Sequence, residues 1–237
     1  MKGYLLEHLT WRDTESLLPN KVVLIPIGAT EEHGYHLPLG TDTTIVSEIA
    51  KKLAEEIDVI VAPTISYGNS LSLMDWSGTV SLEPETIIKM LEDTMMSLIK
   101  HGVKKIIFLN GHGGNTSAIK IAGKRVNSKT GAKIILINWW ELIEERIKEV
   151  CEKEGLHAGE AETSLMLALR SDLVRSRDMK EEQRTLKKIK KIHILEKFHI
   201  EDIPSGTIGD PSLASEKKGK ILLETIIKEV KRIIKDF

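Results

Sequence analysis

Four short runs rich in β-branched residues most limit what this chain can fold into: Val22–Ile27, Val59–Ala62, Ile106–Leu109 and Ile134–Ile137. Each is apolar throughout rather than alternating, so each requires cover on both faces, as strands inside a parallel sheet do. Helical periods lie between them. Thr43–Ile57 spaces Ile45, Ile49 and Leu53 four apart, and Glu83–Lys100 opens on Glu-Pro and closes at His101-Gly102, a helix stop. Further helices are expected over Thr116–Ser128, Trp140–Lys153, Glu160–Leu169 and Lys220–Lys235. Strands alternating with helices predict right-handed crossovers and a three-layer α/β/α fold with a mostly parallel central sheet. With no internal repeat and no linker, residues 1–237 read as a single domain. Arg175–Lys191 is strongly basic and reads as a solvated helix or an excursion.

Charge narrows the classes of partner. A formal net charge of −1 gives no reason to expect nucleic acid or an anionic membrane. Cys151 is the single cysteine, which rules out an intrachain disulfide and fits a reducing compartment. The stretch MKGYLLEHLTWRD lacks the apolar core of a signal peptide, and no apolar run is long enough to cross a bilayer. The expectation is a soluble, cytoplasmic protein.

In open α/β sheets, ligands sit beyond the carboxyl ends of the strands. TEEHGYHLPLGTD follows the first run, NGHGGN the third and NWW the fourth, so one rim collects all three. Glu31 and His33 are two apart, which in extended backbone turns both to one side. Asp42 adjoins the first helix, where aspartate also serves as an N-cap. With His112 on the same rim, the mixture of imidazole and carboxylate suits Zn, Mn or Fe, and a carboxylate can bridge two ions. NGHGGN lets a ligand approach backbone N–H groups closely, but it lacks the lysine and spacing of a phosphate loop. HAGEAETS, His157–Ser164, opens a helix. Glu160 there reads as a helix N-terminal charge, and a histidine just before a helix can protonate an amide leaving group. His36 reads as a supporting or packing residue, and Glu32 as facing solvent or a subunit neighbour.

Taken in order, PIGATEEHGYHLPLGTD, YGNSLSLMDWSGTVSL, NGHGGN and HAGEAETSLMLAL resemble the creatininase (creatinine amidohydrolase) family from Val22 to Val174. The resemblance implies a creatininase-like fold carrying two divalent metal ions and hydrolysing a non-peptide C–N bond in a small cyclic or linear amide. Carried onto this chain, it implies Glu31 and His112 on one metal, His33 on the other and Asp42 bridging. It places His157 beside the scissile amide as proton shuttle, with Glu162 supporting the site or binding metal. Ser70, Gly113 and Trp139 are the implied substrate contacts, with Trp140 an alternative to Trp139. A homo-oligomer, often a hexamer, is also implied.

Three departures from creatininase itself stand out. A glutamate two residues after the histidine of its NGHG-type motif is here Gly114. The family's SxEHxxFPGT stretch reads SLSLMDWSGT, Ser70–Thr79, without its acidic residue, histidine and proline. A tryptophan four residues before the proton-shuttle histidine is here Lys153. Relatives with other substrates keep three alternatives open. One is a formamide hydrolase acting on a formylaminopyrimidine nucleotide in flavin or deazaflavin biosynthesis, with Lys153 or Arg170 meeting the phosphate. Another is a peptidase trimming a cofactor peptide. The third is a metal-binding scaffold without turnover.

Overall fold

The computed structural model describes residues 2–153, 155, 157–182 and 197–237. In chain order the elements are β1 (Tyr4–Leu5), α1 (Trp11–Leu17), β2 (Val23–Ile27), α2 (Thr41–Glu56), β3 (Ile60–Val61) and α3 (Pro84–Lys100). They continue with β4 (Lys105–Asn110), α4 (Thr116–Thr130), β5 (Lys133–Asn138), α5 (Trp139–Leu142), α6 (Glu144–Val150), α7 (Glu160–Arg170) and α8 (Glu216–Asp236). The strands form one parallel sheet in the order β1-β3-β2-β4-β5, with Val23 opposite both Ile60 and Ile106, and Lys105 opposite Lys133.

The uniformly apolar strands are explained by two cores sharing that sheet. Leu24, Ile107 and Leu109 pack on one face against Ile45, Ile49 and Leu53 of α2, Leu165 and Met166 of α7, and Leu222 and Ile226 of α8. Their sequence neighbours Val23, Ile25, Ile106 and Phe108 point to the other face, against Ile87 and Leu91 of α3 and Ile119 and Ala122 of α4. Successive strand residues alternate faces, so cover on both sides removes the alternation of polarity that a half-exposed strand would show. Burying side chains of this size contributes about 1.5–3 kcal/mol each.

The expected strands and the expected helices outside 140–153 appear with ends shifted by a few residues. The expected helix over 140–153 is instead two short ones: Ile143 adopts φ −119° and ψ 25° between α5 and α6 and turns its side chain into the first core. Two elements had not been expected. β1 is a two-residue edge strand, and α1 begins with a reciprocal cap in which Asp13 N–H donates to Thr10 Oγ1 and Thr10 N–H to Asp13 Oδ2. Of the basic stretch, the described part carries one short turn, Ser176–Asp178, and the remainder lies outside the described residues. Among the described residues no helix is long and apolar enough to cross a membrane.

Candidate metal centre

β2 delivers its following loop to the carboxyl rim, where Glu31, His33 and Asp42 are all buried. Asp42 is not the N-cap of α2. Gly40 holds that place, and Asp42 sits in the first helical turn, where the helix dipole favours a carboxylate. Its two oxygens face different histidines: Oδ1 lies 3.0 Å from His33 Nε2, and Oδ2 lies 3.3 Å from His112 Nδ1. Glu31 Oε1 is 3.1 Å from the same His112 nitrogen.

The histidines share one arrangement. His33 Nδ1 faces the Glu31 carbonyl at 3.2 Å, His112 Nε2 the Asn69 carbonyl at 2.7 Å, and His157 Nε2 the Glu32 carbonyl at 2.8 Å. A backbone carbonyl that takes the proton of one ring nitrogen leaves the other as a lone pair, which is how metal-binding histidines are oriented. In each ring that other nitrogen turns toward the carboxylates. At this rim three sets bring one ligand atom from each member within 4.8 Å of one another: Glu31, Asp42 and His112; His33, Asp42 and Glu162; and Glu31, His33 and His157.

Without a cation this cluster holds its charge awkwardly. Glu31 Oε2 and Asp42 Oδ2 are buried with no aligned hydrogen-bond donor, a costly state for carboxylate oxygens. Burial disfavours a charged His33, yet Asp42, Glu162 and Glu31 outweigh it and push the ring up to about 10. The same contest, with Glu31 and Asp42 as the anions, raises His112 well above its ordinary value. Burial alone would raise Asp42, but His33 and His112 hold it below the usual carboxylate range. Glu162 is raised, chiefly by burial. The donor set of carboxylates and imidazoles fits Zn, Mn or Fe.

Three asparagines tie the loops together. Asn110 Nδ2 donates to the His112 carbonyl at 2.7 Å and to Asn138 Oδ1 at 2.9 Å, while Asn115 takes the Asn69 N–H and donates to the Gly28 carbonyl. Gly114 is required sterically. A Cβ there would stand 2.1 Å from the Asn69 carbonyl oxygen and 2.5 Å from His112 Nε2. The carbonyl that orients His112 thus occupies the space into which a side chain at 114 would grow.

A cavity of about 350 Å³ opens on the cluster. Glu31, Asp42, His112, His157 and Glu162 line it together with Leu73, Trp139, Trp140, Phe198 and Ile208. Gly113 is on this wall as well, and Trp139 and Trp140 meet edge to face. Ser70 is not among the lining residues; it is fully buried, and its neighbour Ser72 reaches the cavity instead. Lys153 and Arg170 do not line it either. Lys153 Nζ is bound by Glu181 and Asp210, and Arg170 by Asp172.

One expectation needs correcting. Glu32 does not face solvent or a neighbour: it is buried, with Oε1 2.9 Å from His157 Nε2. Glu160 stands in the first turn of α7, as a helix N-terminal charge should, and is in addition wholly buried and bound by Lys218. His36 packs as expected, its Nε2 2.8 Å from Thr163 Oγ1, and burial and the nearby His33 lower it to about 4. The sequence reading missed the segment Ile203–Asp210, whose Ile208 pairs with His157. Its glycines and Ser-Gly-Thr turn residues were the available signal.

Carboxylates and histidines gathered at the carboxyl rim of a parallel sheet, opening on a cavity, have the makeup of a candidate metal-assisted hydrolase site. The family model described as "Creatininase: Creatinine amidohydrolase" matches residues 7–234. The creatinine amidohydrolase of Pseudomonas putida is 26% identical over 259 residues, covering 99% of this chain and 97% of that protein. The mycofactocin precursor peptide peptidase of Mycolicibacterium smegmatis is 32% identical over 169 residues, 69% of this chain and 63% of that protein. A creatininase variant solved in a zinc–zinc form superimposes with a TM-score of 0.89 at 25% identity, covering 100% of this chain and 98% of that one. The chain belongs to the creatininase family, and it is a hydrolase acting on carbon–nitrogen bonds.

Proposed function

We propose that the chain hydrolyses the C–N bond of a small, uncharged amide at a site holding two divalent ions, with Zn, Mn and Fe the candidates. The observation that carries this reading is Asp42, whose two oxygens belong to two ligand sets, one with Glu31 and His112 and one with His33 and Glu162. Ions held there acidify water and polarise a carbonyl. The residues supply the rest. Glu162 Oε2 accepts the Ala158 N–H at 2.6 Å, which fixes this carboxylate against the backbone beside His157. That anchoring and its place with His33 and Asp42 favour Glu162 as the ligand that replaces a side chain at 114. His157 lies at the cavity wall with Nδ1 3.9 Å from Glu31 Oε1, and as proton shuttle it protonates the departing nitrogen. Trp139, Trp140 and Gly113 hold and orient the amide.

The substrate class follows from the lining. Among the described residues no lysine or arginine lines the cavity, and both cations suited to a phosphate, Lys153 and Arg170, are bound elsewhere. This favours a neutral amide over a formylaminopyrimidine nucleotide. His157 beside the candidate ligand sets supports an enzyme over a scaffold. A single domain over residues 1–237 accords with two cores on one sheet. Tyr35, Tyr67, Leu71 and Met74, exposed apolar side chains, support a homo-oligomer, a hexamer among the options. A lone, half-buried Cys151 accords with a cytoplasmic setting.

The test is a panel of creatinine, simple cyclic and linear amides, a formylaminopyrimidine nucleotide and a short peptide, offered to protein loaded with each metal. We expect turnover of a neutral amide, no turnover of the nucleotide, and a kcat lower by about 10²–10⁴ in His157→Ala. Failure of every metal-loaded form on every amide, or an unaffected His157→Ala, rejects the reading.

A further inference from the structure

His157 has a buried partner that neither the motifs nor the ligand sets assign. Glu32 lies between two candidate ligands in sequence, yet its carboxylate belongs to none of the three sets. It is held from two sides. Its main-chain N–H donates to Thr79 Oγ1 at 3.0 Å, and its Oε2 accepts the Gly34 N–H at 2.9 Å. The chain of the Ile203–Asp210 segment closes over it, so tightly that a Cβ on Gly206, at φ +76°, would stand 1.9 Å from Oε2. The same segment then grips the backbone of His157, with Ile208 N–H donating to the His157 carbonyl at 2.8 Å. One short stretch therefore fixes both members of the pair.

The ring nitrogens are thereby made unequal. Nε2 of His157 stands 2.8 Å from the Glu32 carbonyl oxygen and 2.9 Å from Glu32 Oε1. The N–H is aligned on the carbonyl, and the carboxylate oxygen stands beside it as an ionic neighbour. Two acceptors around one nitrogen demand that it carry the proton. Nδ1, on the far side of the ring, is left as the lone pair facing Glu31.

We propose that Glu32 is the positioning residue for His157: it fixes the Nε2–H tautomer, so that Nδ1 is the nitrogen that exchanges a proton with the substrate. This rests on the amide-hydrolase reading for its catalytic consequence, but not for its geometry. A carboxylate presents an acceptor on each side: Oε2 takes the Gly34 N–H, and Oε1, with no aligned donor of its own, stands beside the protonated Nε2 as an ionic neighbour. Glutamine has one acceptor oxygen. If that oxygen faces Gly34, the amide NH₂ confronts the His157 N–H; if it faces His157, the NH₂ confronts the Gly34 N–H. Either way Glu32→Gln places two donors against each other at hydrogen-bond distance.

Solid-state ¹⁵N NMR of histidine-labelled, zinc-loaded protein reads the tautomer directly, with His157 assigned by its loss in His157→Asn. With the ring neutral, we expect Nε2 protonated and Nδ1 bare in the wild type. We expect Glu32→Gln to shift the ring toward the other tautomer, with kcat lower by about ten- to a hundredfold and KM within about twofold. A wild-type ring protonated at Nδ1, or one with Nδ1 bound to zinc, overturns the proposal without any variant. So does Glu32→Gln with unchanged ring shifts. If no amide in the panel is hydrolysed, the amide reading fails while the ring shifts still decide this one.

Discussion

Two glutamates two residues apart on the first turn of α7, Glu160 wholly buried and Glu162 half-buried, live in opposite circumstances. Glu160 is saturated: Oε1 meets Lys218 Nζ at 2.5 Å, and Oε2 accepts the N–H groups of Glu152 and Lys153 at 2.9 and 3.1 Å. Glu162 is given one N–H, from Ala158, and is left facing Asp42 and His33. A carboxylate surrounded by donors has nothing left to bind and holds α7, α8 and the loop before His157 together. One grouped with other under-donated carboxylates is stable only if a cation joins them. Burial alone therefore does not mark a functional carboxylate; the supply of donors does.

The contrast breaks most sharply at Asp42. Asp42→Ala removes the residue common to both ligand sets, so metal content measured by mass spectrometry should fall from about two ions per chain to near zero. Retention of one full equivalent would show that the two sets are independent. On the saturated side, Lys218→Met strands Glu160 without its cation. We expect a loss of about 3–5 kcal/mol in urea unfolding with metal content unchanged. A variant that lost metal instead would join the two regions into one.

The smallest effect is graded with pH. In metal-free protein His33 is raised from 6.5 to about 10, so its charge favours the folded state fully below pH 6.5, and that contribution is lost as pH climbs through about 10. The urea midpoint of metal-free protein should fall over that interval. Apparent zinc affinity should rise over it, because a bound ion requires His33 to give up its proton. A flat profile in both would mean that the ring is neutral throughout.

Much of this was legible in the sequence, for identifiable reasons. The interior strands β2 and β4 carry a nearly continuous signal because both faces are covered, whereas β1 has two residues at an edge and leaves no pattern. Glu31, His33, Asp42 and His112 could be singled out because motifs at strand ends share a rim, whereas the roles of Glu162 and His157, at the start of a helix, came from the family resemblance. Glu32 was misread because a charged side chain in sequence defaults to solvent, and the partner beside it, His157, lies 125 residues away; the Lys218 that binds Glu160, 58 residues on, was hidden for the same reason. The break at Ile143 was hidden for a similar reason: the pull comes from the core, not from a local helix breaker.

The packing of Asn69 over Gly114 also bears on how this branch of the family can change. A creatininase-type glutamate at 114 cannot be recovered by one substitution, since any side chain would meet a main-chain oxygen at 2.1 Å before it reached a metal. The loop bearing Asn69 would have to retreat first, and its retreat would free the His112 ring from the carbonyl that orients it. An exchange at 114 therefore disturbs the Asn69 loop, its carbonyl and the His112 ring together, and not the side chain alone.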